Sequence, residues 1–375
     1  MNYNNDYKNI ESPKRVLIGI CGIGNGHVNR QRAIIDILKD YNVDIVLAIT
    51  KKSYKLFDEI YPEIKKIIVN IPWIVCNDEG IDFDLTRKIY IKEKNDQFKS
   101  FLNFSISVKK AFNNQHPDII FTDYEPNVAQ YSYAVNKPLI CLEQQSKFLA
   151  FNSDNINGYS INEEKNRLLY FFPRAEKRYV SSFFEIENNG KYNIETLPPI
   201  LSKYKRGKNI TNKVVVYFSP YSNDLNNYIK ILELIKKYNE YKFHIYTDLN
   251  FQEYRKYTNL IFNKIGNKFK DDLYDCNFII STSGHQLISE AINMEIPLYL
   301  LSLNTFEQNY NSFIVEKYAL GKKAIYFSVK EMDNFISNIT VYRNNMKNYK
   351  KNYWRESWDK VLFSKLEKEF GIQKK

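Results

Sequence analysis

Long apolar runs are missing from this sequence: none approaches the ~18 residues needed to cross a bilayer as a helix. The stretch Met1 to Pro13 is polar and holds no signal-peptide core. Cysteine is scarce. Cys21, Cys76, Cys141 and Cys276 stand apart, without a CxxC pair or zinc-like cluster, which argues against a disulfide scaffold and a structural zinc site. Three lie in or beside apolar segments, where cysteine packs as a small hydrophobe. A reducing, cytoplasmic setting is the expectation. No zinc finger, RNP signature or other nucleic-acid reader occurs, so no nucleic-acid partner is expected.

What is present is a 375-residue chain, 44% hydrophobic, with a net charge of +11. At roughly 100–200 residues per domain, two domains are expected, each able to bury a core. The positive excess favours acidic partners such as nucleotide phosphates or anionic lipid.

Apolar and polar segments alternate in a βα rhythm. Val16 to Ile20 is a strand, followed by Gly22, Gly24 and Gly26, a helical pattern over Asn29 to Lys39 and a strand over Val43 to Ile49. Further strands are predicted at Ile67 to Ile71, Asp118 to Thr122, Pro138 to Leu142 and within Ala175 to Phe184, with a helix over Phe98 to Phe112. Asn152 to Asn166 reads as a loop. Leu197-Pro198-Pro199 and the polar run Lys203 to Lys213 form the best linker. The pattern then restarts: strands at Val214 to Phe218, Lys242 to Tyr246, Asn277 to Ser281 and Pro297 to Leu301, with helices at Leu225 to Tyr238 and around Ile288 to Met294. The expected organisation is α/β, two Rossmann-like domains with parallel sheets and an interdomain cleft. The first domain spans 14–200, the linker 201–213 and the second domain 214–342. A helical segment, 343–375, would pack back on the first domain.

Four segments carry chemistry. Gly22 to Arg30 places a Gly-rich turn at the carboxyl end of the first strand, where open α/β sheets bind ligands. Gly24, Asn25 and Gly26 permit close approach to an anion at a helix N-terminus. The spacing is not the GxGxxG of dinucleotide sites, and such a turn has no need of a base like His27. The second segment is Asp123-Tyr124-Glu125-Pro126, directly after a strand. Asp123 beside His27 would raise its basicity and fix its tautomer. Glu125, like Arg30, is an acceptor-side or secondary candidate. The third is Ser281 to Glu290, where Ser283, Gly284 and His285 open a helix suited to a diphosphate, and Glu290 could reach sugar hydroxyls. The fourth is Phe306 to Asn311, whose neighbouring carboxylate and amide suit a sugar.

This ordered set resembles GT-B glycosyltransferases related to families 1 and 28. Closer still, it resembles a bacterial and archaeal group of predicted glycosyltransferases opening with GxGHxxR, here Gly24 to Arg30, and carrying D-x-E-P, here Asp123 to Pro126. The likeness covers roughly residues 14 to 330. It implies that His27 is the general base and Asp123 its support. It also implies that Ser219, Ser283 and Gly284 lie near the diphosphate, that Glu290 contacts the ribose, and that Glu307, Gln308 and Asn311 hold the donor sugar. The sequence departs at Thr282, where family 1 commonly has histidine, and at Gln286, where it has glycine. No tryptophan-bearing plant signature surrounds the nucleobase site.

The function this implies is metal-independent, inverting transfer of a sugar, with a UDP-sugar as co-substrate and no cofactor. The acceptor, a glycan, a lipid-linked molecule or a small molecule, is not encoded in readable form in the loops Asp78 to Lys99 and Asn152 to Lys165. Two rivals stand beside it: a nucleotide-sugar hydrolase of the pseudaminic-acid-pathway type, and an inactive sugar-nucleotide-binding protein. Asp82-Phe83-Asp84 is a DxD, the metal-binding signature of the other large glycosyltransferase fold, but it lacks that fold's strand context. The Lys-rich end with Trp354 and Trp358 has two readings: helices crossing back onto the first domain, or peripheral contact with the inner membrane face.

Overall fold

The computed structural model describes residues 12–375 except 23–24, 78, 95, 157–158, 188–189, 204–206, 208–209, 220–224, 265, 267 and 302–304. The first half runs β1 (Lys14–Ile20), α1 (Asn25–Leu38), β2 (Val43–Ile49), α2 (Lys51–Ile60), β3 (Lys65–Ile68), β4 (Val75–Asn77), β5 (Gly80–Asp82), α3 (Phe83–Lys92), α4 (Gln97–Ala111), β6 (Ile119–Asp123), α5 (Pro126–Val135), β7 (Leu139–Glu143), α6 (Lys147–Ala150), β8 (Asn155–Ile156), β9 (Tyr159–Ser160), α7 (Asn162–Phe171), β10 (Lys177–Ser181) and β11 (Ile194–Leu197). The second runs β12 (Lys213–Tyr217), α8 (Leu225–Ile235), β13 (Lys242–Tyr246), β14 (Leu260–Asn263), α9 (Lys268–Asp275), β15 (Phe278–Thr282), α10 (His285–Met294), β16 (Leu298–Leu301), α11 (Phe306–Lys317), β17 (Gly321–Lys323) and α12 (Val329–Ser337). Two helices end the chain, α13 (Ile339–Tyr353) and α14 (Trp358–Phe370).

Two sheets result, ordered β11-β10-β7-β6-β1-β2-β3 and β14-β13-β12-β15-β16-β17. Every pairing within them is parallel. Parallel strands are covered on both faces, so they read as continuous apolar runs. All five residues of β6, β7, β15 and the last five of β1 are buried. In each sheet the chain order reverses between two neighbours: β1 and β6 in the first, β12 and β15 in the second. Open α/β sheets leave a crevice at such a switch point. The four chemistry-bearing turns begin at or next to these strands.

The loop expected over Asn152 to Asn166 is instead the β8–β9 hairpin followed by α7. The polar start of α7 hid its helical period, because its buried residues, Leu168 and Phe171, come only in its last turn. The DxD also has a local explanation. Asp82 is the N-cap of α3, accepting the Leu85 amide at 2.8 Å, and Asp84 is the acid of its first turn. Among the described residues, no group of His, Cys, Asp and Glu is placed to hold a metal ion. None of the described helices is long and apolar enough to cross a membrane.

The terminal segment divides. Helix α13 packs on the second half through Met346 and Tyr349. Helix α14 lies on the first, where Trp358, Leu362, Phe363 and Leu366 join the core built on β1 and β2. Both tryptophans act as struts: the Trp354 indole donates to the Phe183 carbonyl at 3.2 Å, and the Trp358 indole to Leu201 at 3.0 Å.

Candidate active site

β1 and β6 pair with Ile20 opposite Asp123, so their carboxyl ends deliver the turn before α1 and the Asp123 side chain to one place. The Cys21 amide donates to the Asp123 carbonyl at 3.0 Å and fixes that register. In the first turn of α1, His27 points its Nδ1 at Asp123 Oδ1, 2.7 Å away. Arg30 Nη2 lies 3.1 Å from the same nitrogen. A carboxylate only accepts, so a neutral imidazole bonded to it carries its proton on Nδ1 and has its lone pair on Nε2. His27 is 8% exposed.

Asp123 has no exposed surface and gathers three side chains. Arg30, three residues along α1 from His27, grips it in a fork, Nε to Oδ2 at 2.9 Å and Nη2 to Oδ1 at 2.6 Å. Gln31 donates to Oδ2 at 2.9 Å and to the Leu142 carbonyl at 3.0 Å. Burial alone would raise the Asp123 pKa, but Arg30 and His27 outweigh it and hold the carboxyl below its usual range. Tyr124, next in the chain, adopts φ +56°, an uncommon region for an aromatic residue. Its ring stacks near His27, centroids 6.4 Å apart, and its hydroxyl donates to Glu164 at 2.6 Å. Burial pushes Glu164 up to about 7.

Glu125 is turned into the fold. It is fully buried and N-caps α5, accepting from the Asn127 and Val128 amides at 3.1 and 2.8 Å. Burial lifts its pKa to about 7.

In the second half, Ser283 ends the β15 turn and Gly284 caps α10. A side chain added at Gly284 would meet open space, and one at Gly26 would lie 3.4 Å from Gln286 Cβ. The starts of α1 and α10 thus face each other. Two α11 residues pin the turn: Gln308 accepts the Ser283 amide at 3.0 Å, and Asn311 donates to the Ser283 carbonyl at 2.9 Å. Glu290 is one turn further along α10, 3.3 Å from Gln286 Nε2, and burial raises its pKa. The His285 ring turns away from the turn's mouth. It packs between Phe183 and Phe184, and Nε2 accepts the Phe183 amide at 3.4 Å. Burial, aided by Lys147 and Arg30, keeps it neutral. What α10 offers an anion is therefore its first backbone amides rather than that ring. Ser219 follows β12, and its carbonyl accepts the Tyr228 hydroxyl at 3.2 Å. Gly24 lies outside the described residues.

Glu307 meets the first half directly. Lys147, whose side chain is wholly buried, donates to Glu307 Oε1 at 2.9 Å. Gln144 approaches the same oxygen at 3.5 Å. Sequence reasoning missed Lys147, Gln144, Gln31 and Glu164. The first two belong to Glu143 to Lys147, a polar cluster that starts on the last residue of the otherwise apolar β7. That is the signal that drew attention to Asp123 after β6.

A family model described as Glycosyl transferase family 1 matches residues 14–340. The chain belongs to glycosyl transferase family 1. No curated protein matches the sequence. Solved structures share the fold at low identity. UGT2 of Phytolacca americana, complexed with UDP-2fluoro-glucose and pterostilbene, is 10% identical with a TM-score of 0.67, covering 96% of this chain and 100% of that one. Os79 of O. sativa, in complex with UDP, is 12% identical with a TM-score of 0.67, covering 90% and 95%. CalG4, the calicheamicin glycosyltransferase, is 11% identical with a TM-score of 0.65, covering 96% and 98%. This family 1 chain therefore has the GT-B fold, two Rossmann-like halves with parallel sheets.

Proposed function

We propose that this glycosyltransferase moves a hexosyl group from a UDP-sugar to an acceptor hydroxyl with inversion, His27 serving as general base. The observation that carries the reading is the His27–Asp123 pair at 2.7 Å, set at the start of α1 opposite the start of α10. UDP as the nucleotude moiety is supported by the bound ligands of the UGT2 and Os79 structures.

In this scheme His27 Nε2 takes the proton of the acceptor hydroxyl as its oxygen bonds to the anomeric carbon. The bond from that carbon to the diphosphate oxygen breaks on the opposite face, and UDP leaves. Asp123 stabilises the imidazolium, and Arg30 and Gln31 hold Asp123 in place. The amides at the start of α10 meet the charge that builds on the diphosphate, with no metal or cofactor taking part. Glu307 and Gln308 face the donor sugar, and Glu290 the ribose. Closure of the halves keeps water from the donor, which separates transfer from hydrolysis.

The test pairs a UDP thermal-shift assay with transfer by a His27→Ala variant, using a panel of acceptor alcohols and UDP-sugars. Wild type should be stabilised by UDP, and the variant should keep that shift while losing about 100-fold or more in transfer. Transfer that survives the substitution would remove His27 as base. A product that retains the donor's anomeric configuration would remove direct displacement.

A further inference from the structure

Exposed apolar side chains are not spread evenly over the molecule. Of the 19 large ones among the described residues, ten lie in 68–106 or at 169–170. Helix α4 accounts for the clearest part. Its Phe104 and Val108 are buried against the first sheet. On its other side Phe98, Leu102 and Ile106, spaced by four, are 77%, 48% and 45% exposed. Four-residue spacing puts them on one helical stripe. The helix is therefore apolar on both faces, and only one of them has a partner among the described residues. Helix α3 adds Phe83 and Ile91, 63% and 69% exposed, and the Phe83 ring meets Tyr170 of α7 at 6.3 Å.

Scattered exposed apolar residues need no explanation, whereas a concentration of them does. The charge around this one selects its occupant. Lys99, Lys109 and Lys110 are exposed on α4, as are Arg87, Lys88 and Lys92 on α3. Across 82–110 there are seven basic and four acidic residues, and two of the acids, Asp82 and Asp96, cap the helices. A second copy of the chain docked through this face would set lysines against lysines. An anionic lipid surface complements them, and apolar side chains ringed by lysine suit the headgroup boundary.

Placement ties the face to the cleft. Lys65, which opens β3, donates to the Ala111 carbonyl at the end of α4. That end of α4 therefore lies at the amino edge of the sheet, and Phe98 lies near its carboxyl edge, the edge that carries His27 and Asp123. Helix α7 holds Tyr170 in its last turn and Glu164, the partner of Tyr124 beside His27, in its first.

We propose that the face formed by α3, α4 and the end of α7 docks on an anionic lipid surface. Docked there, it presents the first-half side of the cleft to an acceptor hydroxyl at headgroup level. The acceptor clause rests on the transfer reading above; the docking itself does not.

The full chain is co-sedimented with phosphatidylcholine vesicles, with and without phosphatidylglycerol, at low and high salt. Binding to the phosphatidylglycerol vesicles at low salt is expected, with loss at high salt and little binding to phosphatidylcholine alone. Phe98→Asp/Leu102→Asp changes two exposed positions, so the fold should persist, and vesicle partition should fall at least about tenfold. Lys99→Ala and Lys109→Ala should each cost about fivefold, the equivalent of about 1 kcal/mol per lysine at such a surface. Wild type left in the supernatant at low salt overturns the proposal, as does a double aspartate variant that partitions like wild type. A wild-type dimer that the double variant breaks in sedimentation velocity overturns it in favour of a second copy. UDP thermal shifts on the same samples separate the two readings. Vesicle binding without a UDP shift leaves docking standing and removes transfer, and a UDP shift without vesicle binding does the reverse.

Discussion

Asp123 is where three side chains of the site converge. A carboxylate with no water contact is costly unless its lone pairs are filled, and here Arg30, His27 and Gln31 fill them. Asp123→Asn removes the charge and leaves the Arg30 guanidinium, equally buried, without its counter-ion. Breaking a buried pair in this way costs about 3–5 kcal/mol, so urea unfolding should show a loss of that order. The pH sign follows from the lowered Asp123 pKa. The pair's contribution is complete above the unfolded carboxyl's ordinary value and is lost as pH falls through the lower, folded value. Glu125 runs the other way. Its pKa is raised from 4.5 to about 7, so the folded state takes up the proton more readily than the unfolded one. That contribution is greatest in acid and falls as pH rises from 4.5 through about 7, by about 3 kcal/mol at most. Glu125→Gln keeps an acceptor oxygen for the α5 amides and removes the titration. The stability difference between wild type and Glu125→Gln should therefore tilt towards the variant between pH 5 and 8. A flat difference over that range would show that the carboxyl ionises at its ordinary value.

Among the elements, the turn between β15 and α10 depends on α11. Ser283 is held at both its amide and its carbonyl by Gln308 and Asn311, a brace that fixes where the first amides of α10 point. Asn311→Ala removes the hydrogen bond to the Ser283 carbonyl, a loss of about 1 kcal/mol. It should also shrink the stabilisation by UDP measured by thermal shift, and unchanged UDP stabilisation would detach the brace from nucleotide binding. Such cross-element bonds were not legible in the sequence, although the strands were. VVVYF and NFIIS announce buried parallel strands because both faces must be apolar, and Val43 to Ile49 is found with the bounds the pattern predicts. Helices with a polar outer face and short apolar contact, such as α7, left no period to read. The side chains of His27 and Asp123 could be brought together on paper because β1 and β6 end in polar turns. Lys147 could not, because its partner Glu307 lies in the other half, and nothing local to either residue marks a pair.

For the whole molecule, two connections decide how the halves are held. Helix α14 returns to the first half and buries Trp358, Leu362, Phe363 and Leu366 there. Tyr41 and Tyr179 donate to its Glu367 and Glu369. At about 1.5–3 kcal/mol per buried side chain, those four contribute as much as the roughly 5–15 kcal/mol that holds a typical domain folded. A chain ending after Tyr353 should therefore lose the cooperative unfolding of its first half, seen as lost near-ultraviolet circular dichroism. The Lys147–Glu307 contact is the one ion pair between residues 14–201 and 213–353 among those described. Its two ends are unequal: the Lys147 side chain is wholly buried, whereas that of Glu307 is 31% exposed. Removing Lys147 leaves a carboxylate that water can reach; removing Glu307 leaves an ammonium that it cannot. Lys147→Met, which fills the same space but gives up the ammonium 4.9 Å from the centre of the Phe148 ring, should therefore cost about 1–2 kcal/mol, whereas Glu307→Ala should cost about 3–5 kcal/mol. Urea unfolding of the two variants side by side measures this asymmetry. Equal costs would mean that water reaches Lys147 in solution, and that the halves part more readily than the contact between them implies.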